Sequence, residues 1–398
     1  MTPTEPVLRH PESDDEVERC FDLVHRAFNF PRDDVERFKG ETDRDRALAV
    51  FVGDEAAAFS RIRPFGQFFG GRSVPMAGYS PVGAAPEFRG RGFGSMVTAG
   101  HYADLRDRGE VVAALYPATT ALYKGVGFGI GGVWGEHTVP ARSLQTLRPP
   151  GGVVVRRGTE ADIPAVKALY RQDAARHDGH LDRPDVWWDG RLFREFDKVH
   201  LYVVDGEHPG ALAGYTRYTH ESRRDWGYTV VVQDLVAPDA DVALALWRLV
   251  GSSSTLSPEV RVVGPPEHPL LLTLPEQDLE PRQALRWMVR LVDMAGAFGA
   301  RGYAADRRAA VDLDIDDGHC PWNAGRHRLV IQDGEGRLEK GGSGTIKATP
   351  TALASLYTGY ATAQALRTAG HLTGASEAAL TMLTNVFAAP TPWMADFF

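Results

Sequence analysis

The apolar positions change period repeatedly along the chain, and each change marks an element. Val7–Leu8 predicts a short strand, after which SDDEVERCFDLVHRAF carries Val17, Phe21, Val24 and Phe28 at helical spacing. Ser13 is placed to cap that helix, and the acidic residues behind it suit the positive end of its dipole. ALAVFVGD, AAAFSRIRPF and the stretch Met76–Ala85 predict strands, the last ending at Pro86. A helix is expected from about Gly94 to Arg108, stopped by Gly109. Val111–Tyr116 reads as a strand, Thr119–Gly125 as a short helix and GGVWGEHTV as a further strand. Strands alternating with helices in this way predict a layered fold around a mixed sheet, of α/β or α+β class.

LRPPGG, at Leu147–Gly152, has the composition of a linker. The opening pattern then returns. VVVRRGTEADIPAVKALY is again a strand and a capped helix, with Thr159 as cap and Asp162 in the first turn. LYVVDGEHPGALAGYTRY matches the earlier strand pair, and WGYTVVVQDLVAPDADVALALWRLVG the earlier strand-to-helix crossing. We read an internal duplication; the pattern alone also admits two unrelated α/β units of similar period. From about Arg286 the texture differs: AVDLDIDDG and HRLVIQDGEGRLEKG alternate as strands ahead of helices in TALASLYTGYATAQALRTAG and ASEAALTMLTNVFAA, a small α+β unit. The predicted units are 1–146, 147–285 and 286–398.

The chain's 398 residues, 43% hydrophobic and 24% charged, suffice for such a series of soluble cores. A net charge of −8, with no basic run, argues against nucleic-acid binding. Cys20 and Cys320 are too few and too distant for a disulfide framework or a zinc site. No signal-peptide pattern and no membrane-spanning stretch is read, so a cytoplasmic protein without membrane partners is expected.

The chemistry concentrates in SPVGAAPEFRGRGFGSMVTAGHYADL, where a strand runs into R-G-R-G-F-G and directly into a helix. Unpaired amides at a helix start favour an anion. Gly90, Gly92 and Gly94 let the backbone approach a pyrophosphate, and Arg89 and Arg91 add charge. The spacing is neither the G-x-G-x-x-G of a dinucleotide fold nor a Walker loop. A glycine-rich turn that merely caps a helix is the bland alternative. In the second copy Asp239–Asp241 stands where Arg89–Gly94 stood, so only the first copy keeps the loop.

This loop resembles the acetyl-CoA pyrophosphate loop of GNAT enzymes. The wider chain, through PEFRGRGFGSM, ALYKGVGFG and an aromatic end at Phe398, resembles the Eis (enhanced intracellular survival) family of bacterial N-acetyltransferases. The resemblance implies tandem GNAT domains, the second degenerate, followed by a sterol-carrier-protein-like α+β domain, assembled as a hexamer. It implies acetyl-CoA as cosubstrate, no metal, and transfer of the acetyl group to a primary amine of a small molecule by direct attack in a ternary complex. By position, Val82, Gly83 and Ala84 would bond the pantetheine arm. Arg89, Gly90, Arg91, Gly92, Phe93 and Gly94 would hold the pyrophosphate, and Ala118 falls where the family carries a serine beside the thioester. Tyr123 would protonate the departing thiolate, and the Phe398 carboxylate would serve as general base or its relay. For Tyr123 the alternative is a packing tyrosine beside Phe128, and for PWMADFF a frayed tail.

Departures bear on the acceptor. The penultimate residue is Phe397 rather than acidic, with Asp396 one place earlier, and the residues near Phe28–Phe30, where the substrate should lie, offer the aromatic Phe28 and Phe30 rather than acids. Aminoglycoside-like polyamines are therefore expected to be poor acceptors. A lipid-binding protein with an acetyl-CoA-sensing domain, and a protein-lysine acetyltransferase, are the competing functions. Asp312, Asp314, Asp316 and Asp317 fit a half-exposed strand better than a calcium loop. His177 and His180 read as solvated loop residues, Trp187 and Trp188 as core or interface, and Gly251–Thr255 as a turn.

Overall fold

The computed structural model describes residues 5–224 and 226–398. The leader-peptide reading falls partly on residues 1–4, outside the described residues. The first half comprises β1 (Val7–Arg9), α1 (Asp14–Phe28), α2 (Arg32–Gly40), β2 (Ala47–Val52), β3 (Glu55–Phe69), β4 (Arg72–Ala84), α3 (Phe93–Ala99), α4 (Tyr102–Asp107), β5 (Val112–Leu115), α5 (Thr120–Gly125), β6 (Gly129–Pro140) and α6 (Ala141–Gln145). Ser13 caps α1 by accepting from the Glu16 amide, and Cys20, Phe21, Leu23 and Val24 form its buried stripe against β3.

The second half repeats the scheme: β7 (Val155–Arg157), α7 (Ile163–Ala174), β8 (Leu181–Asp182), α8 (Asp185–Trp187), β9 (His200–Asp205), β10 (Leu212–Ser222), β11 (Tyr228–Val236), α9 (Ala240–Gly251), β12 (Glu259–Val263) and β13 (Glu280–Leu291). Thr159 and Asp162 form a reciprocal capping box ahead of α7. The third unit holds α10 (Met294–Ala300), β14 (Ala309–Ile315), β15 (Gly325–Gln332), β16 (Glu335–Lys340), β17 (Ile346–Ala348), α11 (Pro350–Tyr357), α12 (Ala363–Thr368), β18 (Leu372–Thr373) and α13 (Glu377–Phe387).

The two halves share one sheet, ordered β1-β2-β3-β4-β5-β13-β6-β12-β11-β10-β9-β7, with β8 beside β3. Its symmetry reveals the duplication. In each half a parallel pair, β4 with β5 and β11 with β12, is joined through a crossover carrying α3–α4 or α9. The strand after each pair belongs to the other half: β13 lies antiparallel to β5, and β6 lies antiparallel to β12. The halves have exchanged their last strands. Arg286, where the sequence texture shifts, sits inside β13 and pairs with Val133 of β6.

Glycines make this interlock close. A Cβ on Gly131 would lie 2.1 Å from the Trp287 ring, and one on Gly129 would lie 2.3 Å from the Thr351 carbonyl of α11. Trp287 is fully buried there. At ~25 cal/mol per Å² over roughly 200 Å², its burial contributes on the order of 5 kcal/mol before entropy is counted. The third unit packs its own five-stranded sheet, β16-β15-β14-β17-β18, and its helices onto this face, so one apolar cluster joins Phe65 and Val289 to Leu353 and Phe387.

Four expectations are corrected. The helix expected over Gly94–Arg108 divides into α3 and α4 around Gly100, whose missing Cβ makes room for Leu8 2.7 Å from the position it would occupy. The strand expected at Met76 starts at Arg72, because it forms the return arm of a hairpin turning at Gly70 and Gly71, both at positive φ. The span from Thr351 to Gly370 breaks into α11 and α12, with Gly359 at φ +81°. His180 is buried, not solvated, because Trp393 lies edge-on 4.2 Å from it. The aspartates of β14 alternate with buried Val311, Leu313 and Ile315, and Asp317 turns inward to Arg290.

Candidate functional site

The first feature of the site is a gap between neighbouring strands. β4 and β5 pair at Met76, Ala77 and Gly78, and the ladder stops at Gly78 opposite Ala114. β4 continues to Ala84, bonded on its other side to β3 through Val82, Gly83 and Ala84. Over those residues its β5-facing edge has no strand partner among the described residues. Phe28 and Leu23 cover Gly83, where a Cβ would lie 3.1 Å from Leu23 and 3.3 Å from Phe28.

Past Pro86 the chain makes one tight turn and enters the glycine-arginine loop. Gly90 and Gly92 sit at φ +77° and +81°, a region open to glycine at little strain, and a Cβ on either would meet nothing. The loop is thus an open cradle. The first backbone bond of α3 runs from the Met96 amide to the Gly92 carbonyl at 3.0 Å, so the amides of Phe93, Gly94 and Ser95 have no partner inside the helix. Arg89 and Arg91 are exposed, and neither forms an ion pair among the described residues. The Arg91 guanidinium lies 5.2 Å from the centroid of the Phe88 ring. Gly94 packs against Leu122 of α5, linking the loop to the helix that carries Tyr123.

Tyr123 is buried, its ring 5.9 Å from Phe128 and nearly edge-on. Its hydroxyl makes no hydrogen bond among the described residues, unlike that of Tyr102, which donates to the Val126 carbonyl. Burial pushes the Tyr123 phenol up to about 12, so it remains protonated through the neutral range. Ala118 is exposed between the end of β5 and the start of α5.

The chain's end is docked rather than frayed. Trp393 bridges to Val133, the Met394 amide donates to the Val133 carbonyl at 3.1 Å, and the Trp393 amide donates to Asp178. Asp396 is buried. It accepts from Arg183 Nε at 2.9 and 3.0 Å and from Trp187 Nε1 at 2.8 Å. The Tyr116 hydroxyl donates to the Asp396 carbonyl at 2.8 Å, and Arg191 to that of Phe397 at 3.0 Å. The Phe398 ring then packs 5.2 Å from Phe65 and 5.8 Å from Tyr116, against the bare Cα of Gly78. The last residue therefore lies at the mouth of the β4–β5 gap.

Arg183 also holds Asp234 through both terminal nitrogens, and Arg217 donates to the same carboxylate. Burial raises the Asp234 carboxyl, but the two guanidiniums outweigh it and hold the group below the usual carboxylate range. Sequence spacing could not have found this network, since Arg183 reaches partners 51 and 213 residues away. Beside Gly83, Phe28 and Phe30 stack at 5.2 Å, with Phe38 edge-on to Phe30. Asp396, the carboxylate next to this end of the chain, is already paired with Arg183.

Known proteins resemble this arrangement throughout. Residues 9–131 and 179–291 each match an acetyltransferase (GNAT) domain family, and residues 294–395 match the sterol carrier protein domain. An otherwise uncharacterized N-acetyltransferase of Streptomyces avermitilis is 30% identical over the whole of both chains. The N-acetyltransferase Eis of Mycobacterium tuberculosis is 30% identical over 81% of each. A GCN5-related N-acetyltransferase from Anabaena variabilis superposes with a TM-score of 0.91 at 28% identity, over 99% of this chain and 100% of its own. With two GNAT domains ahead of a sterol-carrier-protein domain, the chain is an acetyltransferase belonging to the Eis family of GNAT enzymes.

Proposed function

We propose that the protein transfers the acetyl group of acetyl-CoA to a primary amine of a small molecule, by direct attack within a ternary complex. One observation carries this: the edge of β4, unpaired among the described residues, leads straight into an open loop with two guanidiniums that form no ion pair among them, and Phe398 closes the other end of the same gap. The cradle fits the cosubstrate. Val82, Gly83 and Ala84 would offer backbone groups to the pantetheine arm and thioester, while Arg89–Gly94 would bond the pyrophosphate.

In this mechanism the Phe398 carboxylate holds the incoming ammonium and leads its proton away. At an ordinary α-carboxyl pKa of roughly 3.5 it is a weak base, so a water relay and its dry, aromatic surroundings must assist. The new N–C bond forms as the C–S bond breaks, and the sulfur leaves with the electron pair. Tyr123 donates to that sulfur. Full proton transfer from this phenol to the released thiolate, whose acid lies near ~8.5, is uphill by ~5 kcal/mol, so the hydroxyl acts by hydrogen bonding to the charge as it develops. Ala118, lacking a hydroxyl, leaves Tyr123 as the side-chain donor proposed there.

The aromatic wall of Phe28, Phe30 and Phe38, with Asp396 already paired, favours an apolar or aromatic amine over a polycationic aminoglycoside. The family resemblance supports a hexamer, which sedimentation would test. The deciding experiment is thiol release from acetyl-CoA against a panel of arylalkylamines, aminoglycosides and lysine peptides. Turnover led by arylalkylamines is expected; turnover confined to lysine peptides would favour a protein acetyltransferase, and none with any amine would defeat the proposal.

A further inference from the structure

The second half repeats the strand gap without the phosphate loop. β11 and β12 pair at Val230, Val231 and Val232, then part, just as β4 leaves β5. A cavity of about 850 Å³ fills the space beyond Val232, bounded by β11, α9, β12, the chain after α10 and the C-terminal tail. That volume is in the range of small-molecule sites, roughly 300–1,000 Å³. Its interior is apolar, with Leu244, Trp247, Val262, Leu270, Tyr303 and Val386 among its walls.

A nucleotide is the wrong occupant. Asp239 caps α9 by accepting from the amides of Asp241 and Val242, so a carboxylate already takes the place a phosphate would need. The polar groups at the wall call for another kind of head. His180 is buried, and neither of its ring nitrogens has a hydrogen-bond partner among the described residues. Arg176 is exposed at the cavity, with no carboxylate partner among the described residues. Among the described residues Arg307 pairs only with its own neighbour Asp306, at 3.9 Å. The carboxylates on the wall are largely engaged: Asp234 by Arg183 and Arg217, Asp178 by the Gly70 amide and Arg301, Asp173 by His177, leaving Glu267 at the rim.

We propose that this cavity binds a single-chain amphiphile with a carboxylate head, its chain along α9 and Trp247 and its head between Arg176, Arg307 and His180. The site is separate from the acetyl-transfer cleft and does not rest on the function proposed there.

The test uses the full chain and sodium dodecanoate as probe. Calorimetry should give saturable binding near one per chain. Dodecan-1-ol should bind at least fivefold more weakly, and CoA should not compete. Ala243→Trp, which fills the cavity from α9, should weaken dodecanoate at least tenfold, and Arg176→Glu at least fivefold. Thermal unfolding checks that both variants fold. Independently of any variant, a photoreactive diazirine dodecanoate should label peptides from β11, α9 or residues 386–395. No saturable binding, affinity unchanged in folded Ala243→Trp, equal affinity for the alcohol, or labelling confined to the first half would each overturn the assignment.

Discussion

Arg183 and Asp396, 213 residues apart in sequence, form a fully buried ion pair that ties the chain's last residues to its second half. The same guanidinium also pairs with Asp234, which Arg217 shares, so two buried carboxylates and two guanidiniums form one network. Removing one partner of a buried pair typically costs about 3–5 kcal/mol. Arg183→Met should therefore lower stability by about that much in urea unfolding. Asp396→Asn, which leaves Arg183 its other carboxylate, should cost less. Equal losses, or losses under about 0.5 kcal/mol, would show that the pair does not hold the tail.

Docking of the tail matters to catalysis only if the terminal carboxylate takes part. Two residues appended after Phe398 should depress kcat by at least ~10-fold, on the scale of a lost acid–base group, while acetyl-CoA affinity stays within twofold. Unchanged kcat in the extended protein would free Phe398 from the mechanism.

Tyr123→Phe removes one hydroxyl and leaves the ring packed on Phe128. Loss of a proton donor predicts a fall in kcat of ~10²-fold or more, with unchanged cosubstrate affinity by calorimetry. Because burial pushes the phenol up to about 12, wild-type turnover should not decline through mild alkali on its account. Wild-type rates in the phenylalanine variant would reduce Tyr123 to packing.

Arg91 projects from an open loop, so replacing it should not disturb the core. Arg91→Glu should weaken acetyl-CoA by roughly tenfold, about 1.4 kcal/mol, and the deficit should shrink as salt is raised. Equal affinity at low salt would remove the guanidinium from the pyrophosphate site.

Acid should destabilise the fold through its buried histidines. Burial pushes His101 down to about 3, and its Nε2 is 2.9 Å from the Ser60 hydroxyl. Unfolded, the ring takes a proton near pH 6.5. The folded state thus binds fewer protons, so the stabilisation is complete above about 6.5 and drains away as pH falls toward 3, at up to ~1.4 kcal/mol per unit. His268, also pushed to about 3 by burial, adds to the same window. Urea midpoints from pH 7 to pH 4 should drop, less steeply in His101→Gln. A parallel slope in that variant would assign the acid sensitivity to other groups.

Much of this fold was legible because its signals are local. Ser13 and Thr159 mark helix starts through caps formed within three residues. Gly90 and Gly92 mark an open, tight loop because their positive φ itself favours glycine. The second set of strands and helices showed as a repeat of period and polarity. What stayed hidden is long-range pairing: that β13 sits between β5 and β6, or that Asp396 meets Arg183, depends on strand register and burial, which no spacing encodes. The helix expected over Gly94–Arg108 divides at Gly100, where Leu8 packs from the far end of the unit. His180 looked solvated because the residue that buries it, Trp393, arrives from the far end of the chain.

The exchanged strands set an order of events during synthesis. The half bearing the glycine-arginine loop leaves the ribosome first, yet the strand that completes its sheet, Glu280–Leu291, emerges only after the other half has been made. Until then β5 offers a bare edge, the kind of surface on which neighbouring nascent chains pair wrongly. Chaperone demand should accordingly fall on translation intermediates that end before Leu291.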